Sequence, residues 1–278
     1  MKLKEVFKEY KYVLNLRGRS ELTVESYFYT LNKLKYLSKD ITDITTKDIR
    51  EFLMKEKENN KLSTIKNKIS ILRAFFNWAN KENLINKNPI DRIEEPNINT
   101  SQRKHLTNYE VEFIRVSEKS LIDNVMFELF ISSGIRVSEM VNLDWNDLDF
   151  RDRRITIKNG KGNKDRQTKF STRALIFLKK YKSIREDNNE WVLQSNYKRR
   201  MSKESIERHI NKLGEYDEIK IKVTPHTLRH SFATILSRKN VPLNIIQQLM
   251  GHSKPSTTER YIKTSMENIN YQFNTVFN

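Results

Sequence analysis

The chain has 278 residues, 37% of them hydrophobic, and a formal net charge of +17 at pH 7. It contains no cysteine, which excludes disulfides, a cysteine nucleophile and cysteine-ligated metal sites. It also has no run of about 18 apolar residues, so we expect no membrane span. The positive charge is typical of nucleic-acid-binding proteins, although an AT-rich genome also raises the lysine content without any function.

The N-terminal third of the chain has the apolar spacing of four helices. Thr45 is expected to cap the third helix and Ser63 the fourth, since both precede an apolar stripe. Residues 91–105 lack helical periodicity and include a run of polar residues, which indicates a linker. We therefore predict a helical domain over residues 1–90 and a linker over residues 91–105. The four apolar stripes begin at Leu3, Tyr27, Ile49 and Ile65.

Residues 106–278 combine helices with a short hairpin. Gly134 is expected to end an apolar helix, and Pro225 stands where another helix should begin. Residues 154–158 alternate in polarity as a strand does, and residues 166–170 can form the returning strand. The predicted fold class is mainly α with a small antiparallel β-sheet, in two domains. Because both halves are basic, the domains can close around a duplex as a clamp; the alternative is two ordinary domains joined by a loop.

Six residues of the second half suit phosphoryl transfer. Two arginines can hold the non-bridging oxygens of a phosphate and stabilise the added charge of a pentacoordinate transition state. Histidines can move protons, a lysine between two glycines can approach a leaving oxygen, and a tyrosine can be the nucleophile. Taken singly, each such residue is more often structural. In chain order the six are Arg136, Lys161, His226, Arg229, His252 and Tyr261.

In this order and spacing, the six residues resemble the active site of the tyrosine recombinases, the phage-integrase and Xer superfamily, and most of all the Xer recombinases. Residues 1–90 resemble the family's helical core-binding (SAM-like) domain. Residues 106–278 resemble its α+β catalytic domain, with a C-terminal tail that docks onto a neighbouring protomer. The segments that carry the resemblance are LRAFFNWA at 72–79, SGIRVSE at 133–139, GKGNKDR at 160–166, TPHTLRH at 224–230, LMGH at 249–252 and TTERY at 257–261.

The resemblance implies a role for each of the six residues. Tyr261 would attack the scissile phosphate, form a 3′-phosphotyrosine and release a 5′-hydroxyl. Arg136 and Arg229 would bind the phosphate. Lys161 is the expected general acid for the leaving 5′-oxygen, and His226 would assist as an acid or base.

The resemblance also implies supporting residues. His252 would donate a hydrogen bond to the phosphate, and Glu139 matches an acid that steadies the active-site arginine. Base-reading or phosphate contacts are expected from basic residues in both domains, although each of these is as often a solvated charge. The DNA-binding candidates are Lys66, Arg73, Arg199 and Arg200.

The implied reaction needs no cofactor, metal or ATP, because the phosphotyrosine stores the energy of the broken bond, and the sequence has no carboxylate cluster typical of a two-metal site. A 5′-hydroxyl from a second strand would reverse the step and give strand exchange through a Holliday junction. The expected partners are double-stranded DNA with a short recombination site and three further protomers, in a homo-tetramer or in a hetero-tetramer with a related recombinase. An accessory activator is a further expected partner. The expected location is the cytoplasm, at the nucleoid.

Several roles fit such a recombinase. The chain begins almost directly with the core-binding domain, which favours site-specific recombination of the Xer type, in the resolution of chromosome or plasmid dimers. The nearest alternative is the integrase or excisionase of a mobile element. A relaxing enzyme like type IB topoisomerases and a non-catalytic DNA-binding relative are further alternatives. Relaxation of DNA without a special site would favour the first of these, and salt-sensitive binding without a covalent adduct the second.

Overall fold

The structure is a computed structural model that describes residues 2–37, 39–97, 105–158 and 165–251. The chain divides into two compact units, Met1–Ser101 and Gln102–Asn278, which we call the N-terminal and the C-terminal unit. The predicted hairpin turn and the predicted C-terminal tail lie outside the described residues. Among the helices of the described ranges, none is long and apolar enough to cross a membrane.

The described part of the N-terminal unit contains four α-helices around an aromatic core. The helices are α1 (Leu3–Leu16), α2 (Glu21–Asn32), α3 (Thr46–Glu58) and α4 (Leu62–Lys81). The Tyr10 ring of α1 meets Trp78 and Phe75 of α4, with centroids 4.8 Å and 5.2 Å away respectively. Full burial of a side chain such as Phe75 contributes about 1.5–3 kcal/mol, so this contact joins the first helix to the last.

The structure confirms one of the two predicted helix caps and contradicts the other. Thr45 caps α3 as predicted: its hydroxyl accepts from the Asp48 N–H (3.3 Å), and the Asp48 carboxylate accepts from the Thr45 N–H (2.8 Å). The predicted cap at Ser63 is wrong, because α4 begins at Leu62 and Lys61 takes the cap position. Ser63 therefore lies inside the first helical turn with its side chain exposed.

The first part of the predicted linker packs on the N-terminal unit. Ile93 is buried in its core, and its carbonyl accepts a hydrogen bond from Arg73 of α4 (3.1 Å). Glu95 forms ion pairs with Lys66 (3.1 Å) and with Arg73. A single apolar residue without periodicity gives no sequence signal, so the sequence does not predict this packing. The linker boundaries remain a prediction, since residues 98–104 lie outside the described residues.

The described part of the C-terminal unit contains seven α-helices, a short 3-10 helix (Trp145–Asp147) and a three-stranded sheet. The helices are α5 (Asn108–Val116), α6 (Leu121–Ser133), α7 (Val137–Val141), α8 (Thr172–Ser183), α9 (Lys203–Lys212), α10 (Pro225–Arg238) and α11 (Leu243–Met250). The strands are β1 (Leu148–Asp149), β2 (Arg154–Ile157) and β3 (Arg166–Lys169). They pair antiparallel in the order β1-β2-β3, with Ile155 opposite Thr168. The two hairpin strands lie within the predicted residues, whereas β1 is too short to show alternation.

Helix α6 forms the centre of the C-terminal unit. Residues 125–131 are all buried, and all of them except Glu128 are apolar, as expected of a helix enclosed by the core. The helix ends at Gly134, as predicted, with a φ of +61° in the left-handed region that favours glycine. Helix α10 begins at Pro225, also as predicted, and α11 ends at Gly251 with a φ of +62°. The candidate site lies at these three helix ends.

Candidate active site

Arg229 anchors the site from inside the protein. It lies one turn into α10 and is only 5% exposed. Its guanidinium donates to the Gly134 carbonyl after α6 and to the Met250 carbonyl at the end of α11 (2.6 Å to the latter). Because the last carbonyls of a helix have no partner within that helix, a buried cation satisfies them well. Arg229 thus joins the ends of α6 and α11.

Arg136, at the start of α7, reaches the last turn of α11, at residues 249–251. One of its terminal nitrogens donates to the Gly251 carbonyl (3.0 Å), and the other donates to Glu139 Oε1 (2.7 Å). The Glu139 carboxylate also accepts from the Arg136 backbone N–H (2.8 Å), which closes a capping box at the start of α7. The Arg136 side chain remains 26% exposed, more than the nearly buried Arg229.

A third arginine, to which the sequence motifs assign no role, completes the arrangement. Arg166 is the first residue of β3, and its two terminal nitrogens bind the two oxygens of Glu139 (2.5 and 2.7 Å). Its Nε lies 3.5 Å from the Leu249 carbonyl. Leu249, Met250 and Gly251 therefore each direct a carbonyl toward a different arginine. The only sequence signal for Arg166 is its place in the motif at residues 160–166.

The electrostatics of the site centre on Glu139. Burial alone would raise the pKa of its carboxyl, but hydrogen bonds from Arg166 and from the Arg136 backbone, with the Arg166 charge, outweigh it and lower the pKa to about 2. The carboxylate is therefore ionised at all physiological pH values. One negative charge is shared by Arg136 and Arg166, and Arg229 donates to two carbonyl oxygens. Guanidinium groups gathered in this way suit an anion such as a phosphodiester.

Acid should destabilise the C-terminal unit through Glu139. Its pKa of about 2 in the folded protein lies below its ordinary value of 4.5, so its stabilising contribution is present above pH 4.5 and is lost as the pH falls toward 2. At about 1.4 kcal/mol per pKa unit, the contribution is at most about 3.5 kcal/mol. Urea unfolding between pH 2.5 and 7 should therefore show a steeper acid loss for wild type than for Glu139→Gln, at roughly these pH values. Parallel pH dependences in the two proteins would contradict this assignment.

The remaining predicted catalytic residues fall in two groups. His226 is the second residue of α10 and is exposed, one turn before the buried Arg229. Lys161, His252 and Tyr261 lie outside the described residues. In the sequence, His252 directly follows Gly251, whose carbonyl binds Arg136. The structure thus brings Arg136, Glu139 and Arg229 together around one turn, and it shows His226 at the start of the helix that carries Arg229.

The predicted DNA-binding residues have different surroundings. Lys66 and Arg73 of α4 pair with Glu95, as described above. Arg200 donates to the Val141 carbonyl (3.0 Å) and to the Asp144 carboxylate (2.7 Å). Its position is therefore explained by contacts within the C-terminal unit. Arg199, the next residue toward the N-terminus, is exposed. Contact of any of the four with DNA stays a prediction.

The described residues offer no cluster of three or more histidine, aspartate or glutamate side chains that could hold a metal ion. What they do offer is a pair of arginines, Arg136 and Arg229, fixed on adjacent carbonyls. Such a pair can bind the two non-bridging oxygens of a phosphate.

Comparison with known proteins identifies the family. Residues 101–268 match the model of the phage integrase family, and residues 7–83 match that of the phage integrase N-terminal SAM-like domain. A tyrosine recombinase of Thermosipho africanus is 33% identical over 271 residues, which cover 94% of each chain. Tyrosine recombinase XerA of Pyrococcus horikoshii is 30% identical over 269 residues, 95% of this chain and 91% of the relative.

Solved structures share the fold. The Tn1549 transposon integrase in complex with a circular intermediate DNA has a TM-score of 0.81 at 18% identity, with 99% of both chains covered. A lambda integrase dimer bound to a COC′ core site has a TM-score of 0.75 at 22% identity, with 92% of this chain and 97% of the other covered. These likenesses confirm the predicted fold class, and the family models and relatives confirm the resemblance noted in the sequence. The chain belongs to the phage integrase family and is a tyrosine recombinase, an enzyme that transfers DNA strands through a tyrosine nucleophile.

Proposed function

We propose that this recombinase cuts and rejoins duplex DNA at a short specific site, in an Xer-type role that resolves chromosome or plasmid dimers. The observation that carries the proposal is the arginine pair: Arg136 and Arg229 bind the carbonyls of Gly251 and Met250, directly before His252. A phosphodiester that replaces or joins these carbonyls would meet two guanidinium groups at once. The Xer assignment is supported by the curated relatives, which include XerA and XerC proteins.

The two arginines would serve the transition state more than the ground state. When a nucleophile adds to a phosphodiester, negative charge grows on the non-bridging oxygens of the pentacoordinate phosphorus. Guanidinium groups that are already fixed need no reorganisation at that moment. Arg229 is fixed by burial and by two carbonyls, and Arg136 by Glu139 and Gly251. This preorganisation is what a strand transferase without an energy source requires.

The reacting groups complete the proposal. Tyr261 Oη would form a bond to the scissile phosphorus as the bond from phosphorus to the 5′-oxygen breaks, and Lys161 would protonate that leaving oxygen. His226 would take or give a proton, and His252 would donate a hydrogen bond to the phosphate. A free tyrosine has a pKa near 10, so the cationic surroundings that Arg136 and Arg229 supply would favour its attacking form.

The proposal extends to assembly. Four protomers, identical or paired with a related recombinase, would act on two duplexes at the nucleoid in the cytoplasm. The apolar residues of the C-terminal tail would dock on a neighbouring protomer, and an accessory protein would activate the assembly. The two units would close around DNA as a clamp, with Lys66, Arg73, Arg199 and Arg200 among the residues that contact it.

A trapping experiment tests this function. The full-length protein is incubated with nicked genomic fragments from its own host, in which a cut near a nick loses the short strand needed for rejoining. Adducts that resist SDS are isolated and sequenced, with Tyr261→Phe as the matched variant. We expect adducts from wild type and none from Tyr261→Phe, while both proteins bind DNA with equal affinity, because the substitution removes only the nucleophilic oxygen.

The trapped sequences decide the role. Adducts at one chromosomal locus support dimer resolution, whereas adducts at the ends of a mobile element contradict the Xer assignment and favour an integrase. Adducts spread over unrelated sequences would indicate a relaxing enzyme. Tight binding without adducts would contradict catalysis, and adducts with Tyr261→Phe would show that another residue is the nucleophile.

A further inference from the structure

Arg166 occupies a position that the proposed roles leave unexplained. Its side chain is only 10% exposed, so it is poorly placed to meet a DNA phosphate itself. It contacts both elements that hold Arg136: the Glu139 carboxylate and the turn at residues 249–251. We propose that Arg166 is a positioning residue for DNA cleavage, which fixes Arg136 in its phosphate-binding orientation. The inference rests on the function proposed above.

The first contact is a fork. Each terminal nitrogen of Arg166 binds one oxygen of Glu139, the parallel geometry that makes arginine–carboxylate pairs strong and directional. With the carboxylate plane fixed in this way, Glu139 Oε1 faces the Arg136 side chain and Oε2 its backbone N–H. Without Arg166, the carboxylate can rotate, and the Arg136 guanidinium loses one of its two described anchors.

The second contact involves the other anchor of Arg136. The Arg166 side chain lies against Gly251, whose carbonyl binds Arg136: a Cβ placed on Gly251 would be 2.3 Å from Arg166 Cδ and 2.6 Å from its Nε. The Arg166 Nε also lies near the Leu249 carbonyl. The turn is therefore packed directly on the arginine, and both anchors of Arg136 depend on the same side chain.

A displaced Arg136 would slow chemistry more than it weakens binding. The protein is expected to bind DNA through many phosphates, so one misplaced guanidinium changes the affinity little. The transition state, in contrast, needs the guanidinium within hydrogen-bonding distance of one particular oxygen. A misplacement of about 1 Å can lower a rate on the order of 10²-fold.

The C-terminal unit offers a matched control. Arg115 and Glu128 form a second forked pair, with nitrogen–oxygen distances of 2.8 and 3.1 Å, and Glu128 is 1% exposed. This pair joins α5 to α6 and makes no described contact with Arg136, Glu139 or the turn. Arg115→Met therefore removes a comparable buried ion pair without touching the proposed positioning network.

The experiment measures adduct formation with nicked genomic fragments, at saturating protein and well below the unfolding temperature of every variant. We expect Arg166→Met to lower the initial rate on the order of 10²-fold with an unchanged dissociation constant for DNA, and Arg166→Lys to recover part of the loss. Arg115→Met should lower the unfolding temperature but leave the rate within about threefold of wild type.

A double variant tests whether Arg166 acts through Glu139. If it does, Arg166→Met combined with Glu139→Gln should be little slower than the slower single variant. Losses that multiply, or an Arg166→Met variant that cleaves at the rate of Arg115→Met, would overturn the inference. A weaker DNA affinity that accounts for the whole rate loss would overturn it too, since it would mean a direct DNA contact.

The controls separate this inference from the function on which it rests. Wild type that forms no adducts, or Tyr261→Phe that forms them, contradicts the proposed function itself. If wild type and Arg166→Met form tyrosine-dependent adducts at the same rate, only the positioning role is contradicted.

Discussion

Replacement of Arg229 by methionine is expected to lower the rate of covalent adduct formation by at least about 10³-fold, the largest effect for any residue that the structure describes in the site. The guanidinium would supply charge to the transition state and also closes the gap between Gly134 and Met250. Methionine fills a similar volume but donates no hydrogen bond. Two buried carbonyls would then lose their partner, at about 1–3 kcal/mol each.

Arg229→Lys separates the two contributions. Lysine keeps the positive charge, but its single nitrogen cannot serve two carbonyls in the fork geometry of arginine. We expect a partial recovery of stability with most of the rate loss retained. The rate is measured with nicked DNA at saturation and the stability by thermal unfolding. Arg238→Met on the same helix is the control, since this side chain is exposed, and it should leave the rate within about threefold of wild type.

A wild-type rate in Arg229→Met would contradict the assignment of Arg229 to the phosphate. A rate loss fully explained by unfolded protein would do so as well, because it would reduce Arg229 to a structural bond between two helix ends. Measuring both quantities on the same preparation distinguishes these outcomes.

The sequence predicts the features of this fold that depend on neighbouring residues. Thr45 is visible as a cap because its partner, Asp48, stands only three positions away. The end of α6 is visible because an apolar run meets a glycine that must adopt a positive φ. The cap predicted at Ser63 is wrong because Lys61 and Ser63 both precede apolar residues. Periodicity does not fix the first residue of a helix to within two positions.

Contacts between distant residues are what the sequence hides. Arg136 and Gly251 are 115 positions apart, and Arg166 and Leu249 are 83 apart. Family resemblance predicts that Arg136 and Arg229 bind the phosphate, but it does not reveal that a single turn holds both. It is equally silent about Arg166, whose partners become apparent only when β3, α7 and α11 are assembled.

The turn at residues 249–251 positions the three arginines of the site. Three carbonyls direct partial negative charge at three arginines and thereby hold these cations close together before any DNA is present. Glu139 neutralises part of their mutual repulsion. A scissile phosphate would then enter a site in which the repulsion has been balanced and the guanidinium groups have been oriented in advance. This arrangement predicts that the turn tolerates little change in its backbone.

Alanine at Gly251 or Gly134 is expected to be far more harmful than alanine at Gly18, although all three have φ values between +61° and +64°. At Gly18 an added Cβ meets nothing within 4 Å, so Gly18→Ala reports the backbone cost alone, about 1–2 kcal/mol. At Gly134 the Cβ would lie 2.3 Å from Phe232 Cδ1, which adds about 1–3 kcal/mol of overpacking. Native-state hydrogen exchange measures each loss of stability in the unit that carries the substitution: amides of α1 report on Gly18→Ala, and amides of α6 report on Gly134→Ala.

Gly251→Ala should differ from both in kind. Its Cβ would displace the Arg166 side chain, which can move if its forked contact with Glu139 breaks. This movement relieves part of the strain but removes the contact that positions Glu139. We therefore expect a smaller loss of stability than in Gly134→Ala but a larger loss of cleavage rate, on the order of 10²-fold. Equal rates for Gly251→Ala and Gly18→Ala would show that the turn does not orient the arginines. Equal stability losses for Gly134→Ala and Gly18→Ala would show that Phe232 yields without cost.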